Sequence, residues 1–202
     1  MKIVQSNAKL RALINKALAK EGDKVLRNAS RRIERRVRNI VASSLATSPE
    51  LMSLSGGTLK YDFGLTQDPS DEIINAIIGS IRVSVKKITS TAKKFSGGVT
   101  IQIQPSSFSN LLSLSVAQQE IIGGSLPWLS WLLTAGDSVI IADFGVEYKS
   151  GAGRSGGAKM SSDFAPFRVD PQYSGTIDNN FITRAILPRM KEMSSMIKRE
   201  LS

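Results

Sequence analysis

From Lys9 to Leu45 the chain contains no proline and a single glycine, Gly22, and apolar residues recur at Leu10, Leu13, Ile14, Ala17, Leu18, Val25, Leu26, Ala29, Ile33, Val37, Ile40 and Val41. Steps of three and four are helical, so this stretch predicts a long helix. At about 100° per residue, Val25, Ala29, Ile33, Val37, Ile40 and Val41 fall in one arc of roughly 160°. Lys24, Arg27, Arg31, Arg32, Arg35 and Arg38 take the opposite side. Gly22 followed by Asp23 interrupts the apolar stripe and has the form of a helix end followed by a cap. The arm is therefore expected to be one helix kinked at Gly22, or two.

This arm carries most of the net charge of +10. Residues 1–46 hold twelve Lys and Arg against Glu21, Asp23 and Glu34, a net +9, whereas residues 47–202 hold fifteen basic and fourteen acidic groups, a net +1. The chain divides on this reading into a basic amphipathic helical arm, 1–46, and a nearly neutral body, 47–202. Three roles fit the basic face, with Arg27, Arg31, Arg35 and Arg38 at its centre. It can be a solvated helix surface, a phosphate contact that needs no base readout, or a membrane-surface helix. The small Ala, Val and Ile residues opposite it fit a membrane least.

The chain has no cysteine and no histidine. That removes disulfides, thiolate nucleophiles, Cys-ligated zinc, the usual triad base and the commonest metal ligand. Carboxylate or Lys chemistry and carboxylate-bound Mg2+ or Ca2+ survive in principle, but Asp137, Asp143, Glu147, Asp163, Asp170 and Asp178 show no close repeated spacing. No catalytic residue, metal ligand or cofactor site is assigned, and an enzyme is not expected. The longest apolar-rich stretch, Leu126 to Ala135, is too short to span a bilayer. No secretory leader is recognisable. A soluble protein of the cytoplasm, or of a particle assembled there, is expected.

The body reads as a small antiparallel sheet with short helices. Ser48-Pro49-Glu50 and Asp68-Pro69-Ser70-Asp71-Glu72 are helix starts. Alternation over Ile81–Lys86 and over Val99–Gln104 predicts two half-buried strands, joined by an extended connection from Lys87 to Gly98. A short helix is expected after Pro105, another from Leu126 to Gly136 carrying both tryptophans, and a longer strand from Val139 to Tyr148. Trp128 and Trp131 share a face that is either core or a protein interface. Gly151 to Gly156 formally spells G-x-G-x-x-G, but Gly157, Ser161-Ser162 and Pro166 oppose the helix that a dinucleotide site needs. The stretch 150–162 is read instead as a flexible Gly-rich hairpin tip. A C-terminal helix is expected over about 178–200, capped within Thr176–Asn180, kinked at Pro188, and bearing Met190, Met193 and Met196.

One ordered series carries a resemblance. Leu126-Pro127-Trp128-Leu129-Ser130-Trp131-Leu132-Leu133, Gly136-Asp137, Val146-Glu147-Tyr148, the Gly/Arg/Ser loop, and the run from Phe167-Arg168-Val169-Asp170-Pro171 to Thr183-Arg184-Ala185-Ile186 resemble virion proteins of the head-to-tail junction of tailed bacteriophages. Ile103-Gln104-Pro105-Ser106 with Phe108 and Leu111-Leu112-Ser113-Leu114 fits the same pattern. The run Pro171 to Ile186 is the most specific part. Such neck or tail-completion proteins are similar to the minor tail components of long-tailed phages. The resemblance implies a structural, non-enzymatic virion protein in the neck, with an N-terminal helix and a small antiparallel sheet. It further implies a homo-oligomeric ring around the DNA passage, hexameric by expectation. Portal-side connector proteins and tail proteins would be its neighbours, with non-specific contact to phage DNA and none to a membrane. On this reading Gly151, Gly153, Arg154 and Gly156 form a loop that meets a neighbouring ring, although the loop is compact and Phe167 stands where Trp is usual.

Overall fold

The computed structural model describes residues 6–91, 94–121 and 124–201. The chain is a mixed α+β protein with a long N-terminal helix, antiparallel strand pairs and a C-terminal helix. It divides into two compact units. Residues 1–39, 81–103 and 191–202 form the first, and residues 40–80 and 104–190 the second.

The first unit is built on α1, Asn7–Ala46, of which residues 7–39 belong here. The helix runs without interruption through Gly22, so of the two expected forms of the arm it is one helix and not two. Strand β1, Arg82–Ser90, explains the glycine, because the Ile88 side chain lies 2.9 Å from where a Cβ on Gly22 would be. Asp23 does not cap a second helix; its carboxylate accepts the Ile88 amide proton at 3.1 Å. β1 pairs antiparallel with β2, Phe95–Gln102, and the register shifts between Lys86 and Thr89. The strands thus run deeper into the expected connection than the lysines and glycines suggested, and Ala92 and Lys93 at its tip lie outside the described residues. The buried stripe of α1 in this unit is Ala19, Leu26, Ala29, Ile33 and Val37. Val25, expected within it, is exposed, and its neighbour Leu26 takes the inward position. Helix α8, Met190–Leu201, adds buried Met193 and Met196 and is clamped to α1 by Glu200, which meets Arg32 at 2.7 Å and Arg36 at 2.6 Å.

The second unit takes Ile40–Ala46 of α1 and then short elements: α2 Pro49–Gly56, α3 Thr58–Asp62, α4 Ser70–Ser80, α5 Ser109–Leu112 and a 3-10 turn at Ser115–Ala117. The Ser48 hydroxyl caps α2 with Pro49 at its first position, as the sequence predicts. Next come β3 Gln119–Ile121 paired with β4 Gly124–Leu126, α6 Trp128–Thr134, and β5 Gly145–Tyr148 paired with β6 Ala158–Ser161. Among the described residues the strands therefore form three separate two-stranded ribbons. The long strand expected from Val139 is only β5. The Ile140 and Ile141 amides both donate to the Phe167 carbonyl, and the Phe167 amide donates to Ile141 and Phe144, so this stretch is satisfied around a single residue rather than along a partner strand. Helix α7, Phe181–Ile186, starts after Asn180, and Pro188 sits in a 3-10 turn, Leu187–Arg189, before α8. Leu45, Leu54, Phe63, Ile73, Ile77, Trp128, Leu132 and Phe181 are fully or almost fully buried and form the core of this unit.

Candidate functional site

The helical repeat of α1 lines up a basic stripe. Lys16, Lys20, Lys24, Arg27, Arg31, Arg35 and Arg38 follow steps of four, four, three, four, four and three. That mean of about 3.7 residues matches one helical turn, so the stripe runs nearly straight for about 33 Å. The four arginines expected at the centre of the basic face are thus brought to one side, but their states differ. Arg27 pairs with Asp23 at 3.1 Å, and Arg38 pairs with Glu34 at 2.7 Å and donates to the Ile81 carbonyl at 3.4 Å. Arg31 and Arg35 are exposed and have no ion pair or hydrogen bond among the described residues.

Lys16 and Lys20 belong to the same surface, and sequence reasoning missed them because it centred the stripe on the Arg-rich half. With Arg27 and Lys87 they rim a groove of about 950 Å³ between α1 and β1, floored by Ala12, Leu13, Ala17, Ala19 and Ile88. Asp23 lies within it. The Ile88 amide holds the Asp23 carboxyl below its usual range, against some desolvation and with help from Arg27 and Lys87. Beside the basic edge, Leu10, Leu13, Ile14 and Leu18 are between 43% and 56% exposed, an apolar strip left uncovered among the described residues.

The two units differ in charge far more than arm and body do. The first unit has twenty Lys and Arg against five Asp and Glu, a net +15. The second has seven against twelve, a net −5. The sequence segment 81–103 brings Arg82, Lys86, Lys87, Lys93 and Lys94 to the first unit and no acidic residue, and removing it from the supposed body exposes its acidity.

The Gly-rich loop closes the β5–β6 hairpin. Gly151, Gly153 and Gly156 all have φ between +64° and +76°, and a Cβ on Gly153 would sit 1.9 Å from the Ala158 carbonyl. Lys149 and Gly151 amides bond to the Gly157 and Gly156 carbonyls, which closes the turn through its backbone. Arg154 folds back and donates to the Gly64 carbonyl at 3.2 Å and the Glu120 carbonyl at 2.9 Å. A strand, not a helix, follows the glycines, so the geometry is a hairpin turn and not a dinucleotide-binding one.

Trp128 is fully buried. Its indole donates to the Val116 carbonyl at 2.7 Å, and its ring lies 5.4 Å from that of Phe63. Trp131 is half-buried against Phe167, with ring centroids 6.5 Å apart. Trp128 is thus core, and Trp131 flanks it.

The run Pro171–Ile186 forms a clasp over α6 and α2. Asn180, fully buried, accepts the Ile182 and Thr183 amides and donates to the Thr176 and Ile177 carbonyls, while Thr183 Oγ1 accepts the Asn180 amide proton. Gly175 has no room for a Cβ, which would lie 2.6 Å from the Leu132 carbonyl. Arg184 reaches buried Glu50 through Nε at 2.9 Å and Nη2 at 2.7 Å, and also donates to the Ser174 and Tyr173 carbonyls. Asn180, Thr183 and Arg184 thus spend their side-chain polar groups on holding the fold.

One titratable pair lies apart. The Tyr148 hydroxyl donates to Asp62, whose pKa is raised to about 6, mainly by burial and also by Asp170, with the tyrosine bond opposing. Elsewhere on this unit, Pro49, Met52, Ile74 and Tyr173 line an open groove of about 920 Å³ whose edge carries Asp68 and Asp71. Among the described residues there is no group of three or more acidic side chains able to hold a metal ion, and no helix long and apolar enough to cross a membrane. No protein-family model matches the chain, and no curated protein or solved structure matches it significantly.

Proposed function

We propose that this chain is a structural protein of the head-to-tail junction of a tailed bacteriophage, acting as a subunit of a ring around the DNA passage. The observation that carries the reading is the run Pro171–Ile186. Its resemblance to neck and tail-completion proteins falls on residues that the fold uses as a clasp, so the similarity concerns how a body is built and held. A ring component must keep its shape while surfaces on either side meet neighbours, and a buried aromatic core closed by a hydrogen-bonded clasp suits that task. The test is genetic. Deleting the gene is expected to leave filled heads and tails that do not join, or particles that lose their DNA; normal infectious particles lacking the protein overturn the proposal.

A second reading, a sequence-independent duplex-binding protein, is favoured by the straight basic stripe and by the free Arg31 and Arg35. Retention of duplex DNA at low salt, falling steeply with salt and largely lost in Arg31→Ala with Arg35→Ala, is the outcome expected of it. Absence of retention at low salt removes it.

A further inference from the structure

We infer that the N-terminal half of α1 from one copy docks on the acidic groove of the second unit of another copy, a head-to-tail contact. This rests on the ring reading and supplies its missing interface. Three observations lead to it. First, Leu10, Leu13, Ile14 and Leu18 form an exposed apolar strip along a little over two turns of α1, and contiguous exposed apolar surface of this kind marks association sites. Second, Lys16 and Lys20 border that strip, so its partner carries negative charge. Third, the second unit offers a surface of matching character. Met52, 63% exposed, and Ile74 lie in an open groove edged by Asp68 and Asp71, with exposed Glu72 beside them at the start of α4.

Charge also selects the geometry of association. Two copies of the α1 strip facing each other would bring together the lysines and arginines of two units that carry +15 each. Like charges brought together at an interface repel, so the symmetric pairing is disfavoured. A contact between the basic strip of one copy and the acidic groove of the next uses two different surfaces, and repeating it generates a ring or an open chain. The apolar strip and the Met52–Ile74 groove supply contact area, and the lysines and carboxylates fix register and polarity.

The experiment uses the full chain and a charge exchange. Lys16→Glu with Lys20→Glu in one variant, and Asp71→Lys with Glu72→Lys in another, each reverse one side of the contact. Self-association is measured by light scattering and sedimentation at low salt, with circular dichroism melts confirming that both variants fold. Wild type is expected to associate, each variant to associate about tenfold more weakly or worse, and the equimolar mixture to recover, because every contact in an alternating assembly is again complementary. A monomeric wild type, unchanged variants, or a mixture that stays dissociated overturns the inference. So does loss of duplex DNA retention in the Lys16/Lys20 variant with association intact, which assigns the face to nucleic acid. The ring reading fails separately. Normal particles without the gene refute it whatever the solution assembly shows, whereas unjoined heads and tails with a monomeric protein refute only this contact.

Discussion

The two units are held together by different physics. In the second, a hydrogen-bonded clasp centred on Asn180 and Arg184 satisfies buried polar groups, and the aromatic rings pack in the order Trp128, Phe63, Phe167, Trp131. In the first, one long helix carries a narrow stripe of Ala, Leu, Ile and Val, and exposed ion pairs from Arg32 and Arg36 to Glu200 hold α8 against it. Such pairs are individually weak and screened by salt. The difference teaches that a net charge of +15 is tolerable in a unit whose charges lie outside on a long rod, whereas the acidic unit draws its definition from the inside.

The harshest way to break that contrast is to open the clasp. Arg184→Ala leaves the Glu50 carboxylate buried without its partner and frees the Ser174 and Tyr173 carbonyls. A loss of about 3–5 kcal/mol is expected. Both tryptophans lie in the second unit, so urea unfolding followed by their fluorescence reads this unit, and amide exchange in α8 reads the other. A large fall in the fluorescence midpoint with unchanged exchange in α8 sharpens the comparison; equal loss in both erases it.

A smaller effect comes from Asp62, and its sign is opposite. Burial holds this carboxyl at about 6 in the folded protein against an ordinary value near 4. Between those values the folded state binds more protons than the unfolded one, so stability falls as pH rises from about 4 to 6 and is level above. Asp62→Asn keeps an oxygen acceptor for the Tyr148 hydroxyl and removes the charge. It is expected to stabilise the protein by about 2 kcal/mol at pH 7 and to have little effect below pH 4. Thermal melts at pH 3.5, 5 and 7 check this, and a variant less stable at pH 7 than the parent contradicts it. Glu200 behaves in the reverse sense. The hydrogen bond from Arg32, with Arg36 and Arg35 nearby, lowers its pKa against desolvation, so the α8 clamp weakens as pH falls.

What was legible in the sequence was local. The long helix, the Ser48-Pro49 cap and the alternation of β1 and β2 are set by neighbours in the chain and were readable from them. The charge division was not, because the first unit is assembled from three separated segments, and the rest of the chain turns from +1 to −5 once residues 81–103 and 191–202 are counted with α1. The role of Arg184 was equally hidden, since Glu50 lies far away in sequence. Of the surface features, the Arg27–Arg38 face was visible from helical spacing, but the pairing of Arg27 and Arg38 and the tethering of Arg154 depend on tertiary neighbours.

Gly22 gives the smallest predicted effect and the most direct contest between sequence and fold. As a helix end it would need a left-handed backbone, and alanine there would destabilise by roughly 1 kcal/mol. In the fold it lies inside a continuous helix, and the group a new methyl would meet is the flexible end of the Ile88 side chain, 2.9 Å away. Removing an interior glycine gains up to about 1 kcal/mol of helix propensity, and Ile88 can turn aside at part of that gain. Gly22→Ala is therefore expected to be neutral or slightly stabilising in thermal melts. Gly22→Val, whose branched methyls reach further towards β1 and whose helix propensity is poorer, should be the less stable of the two. A clear loss of stability in the alanine variant would restore the break that the sequence suggested. It would also divide the basic stripe into two shorter ones, with Lys16 and Lys20 on a different axis from Arg31 and Arg35.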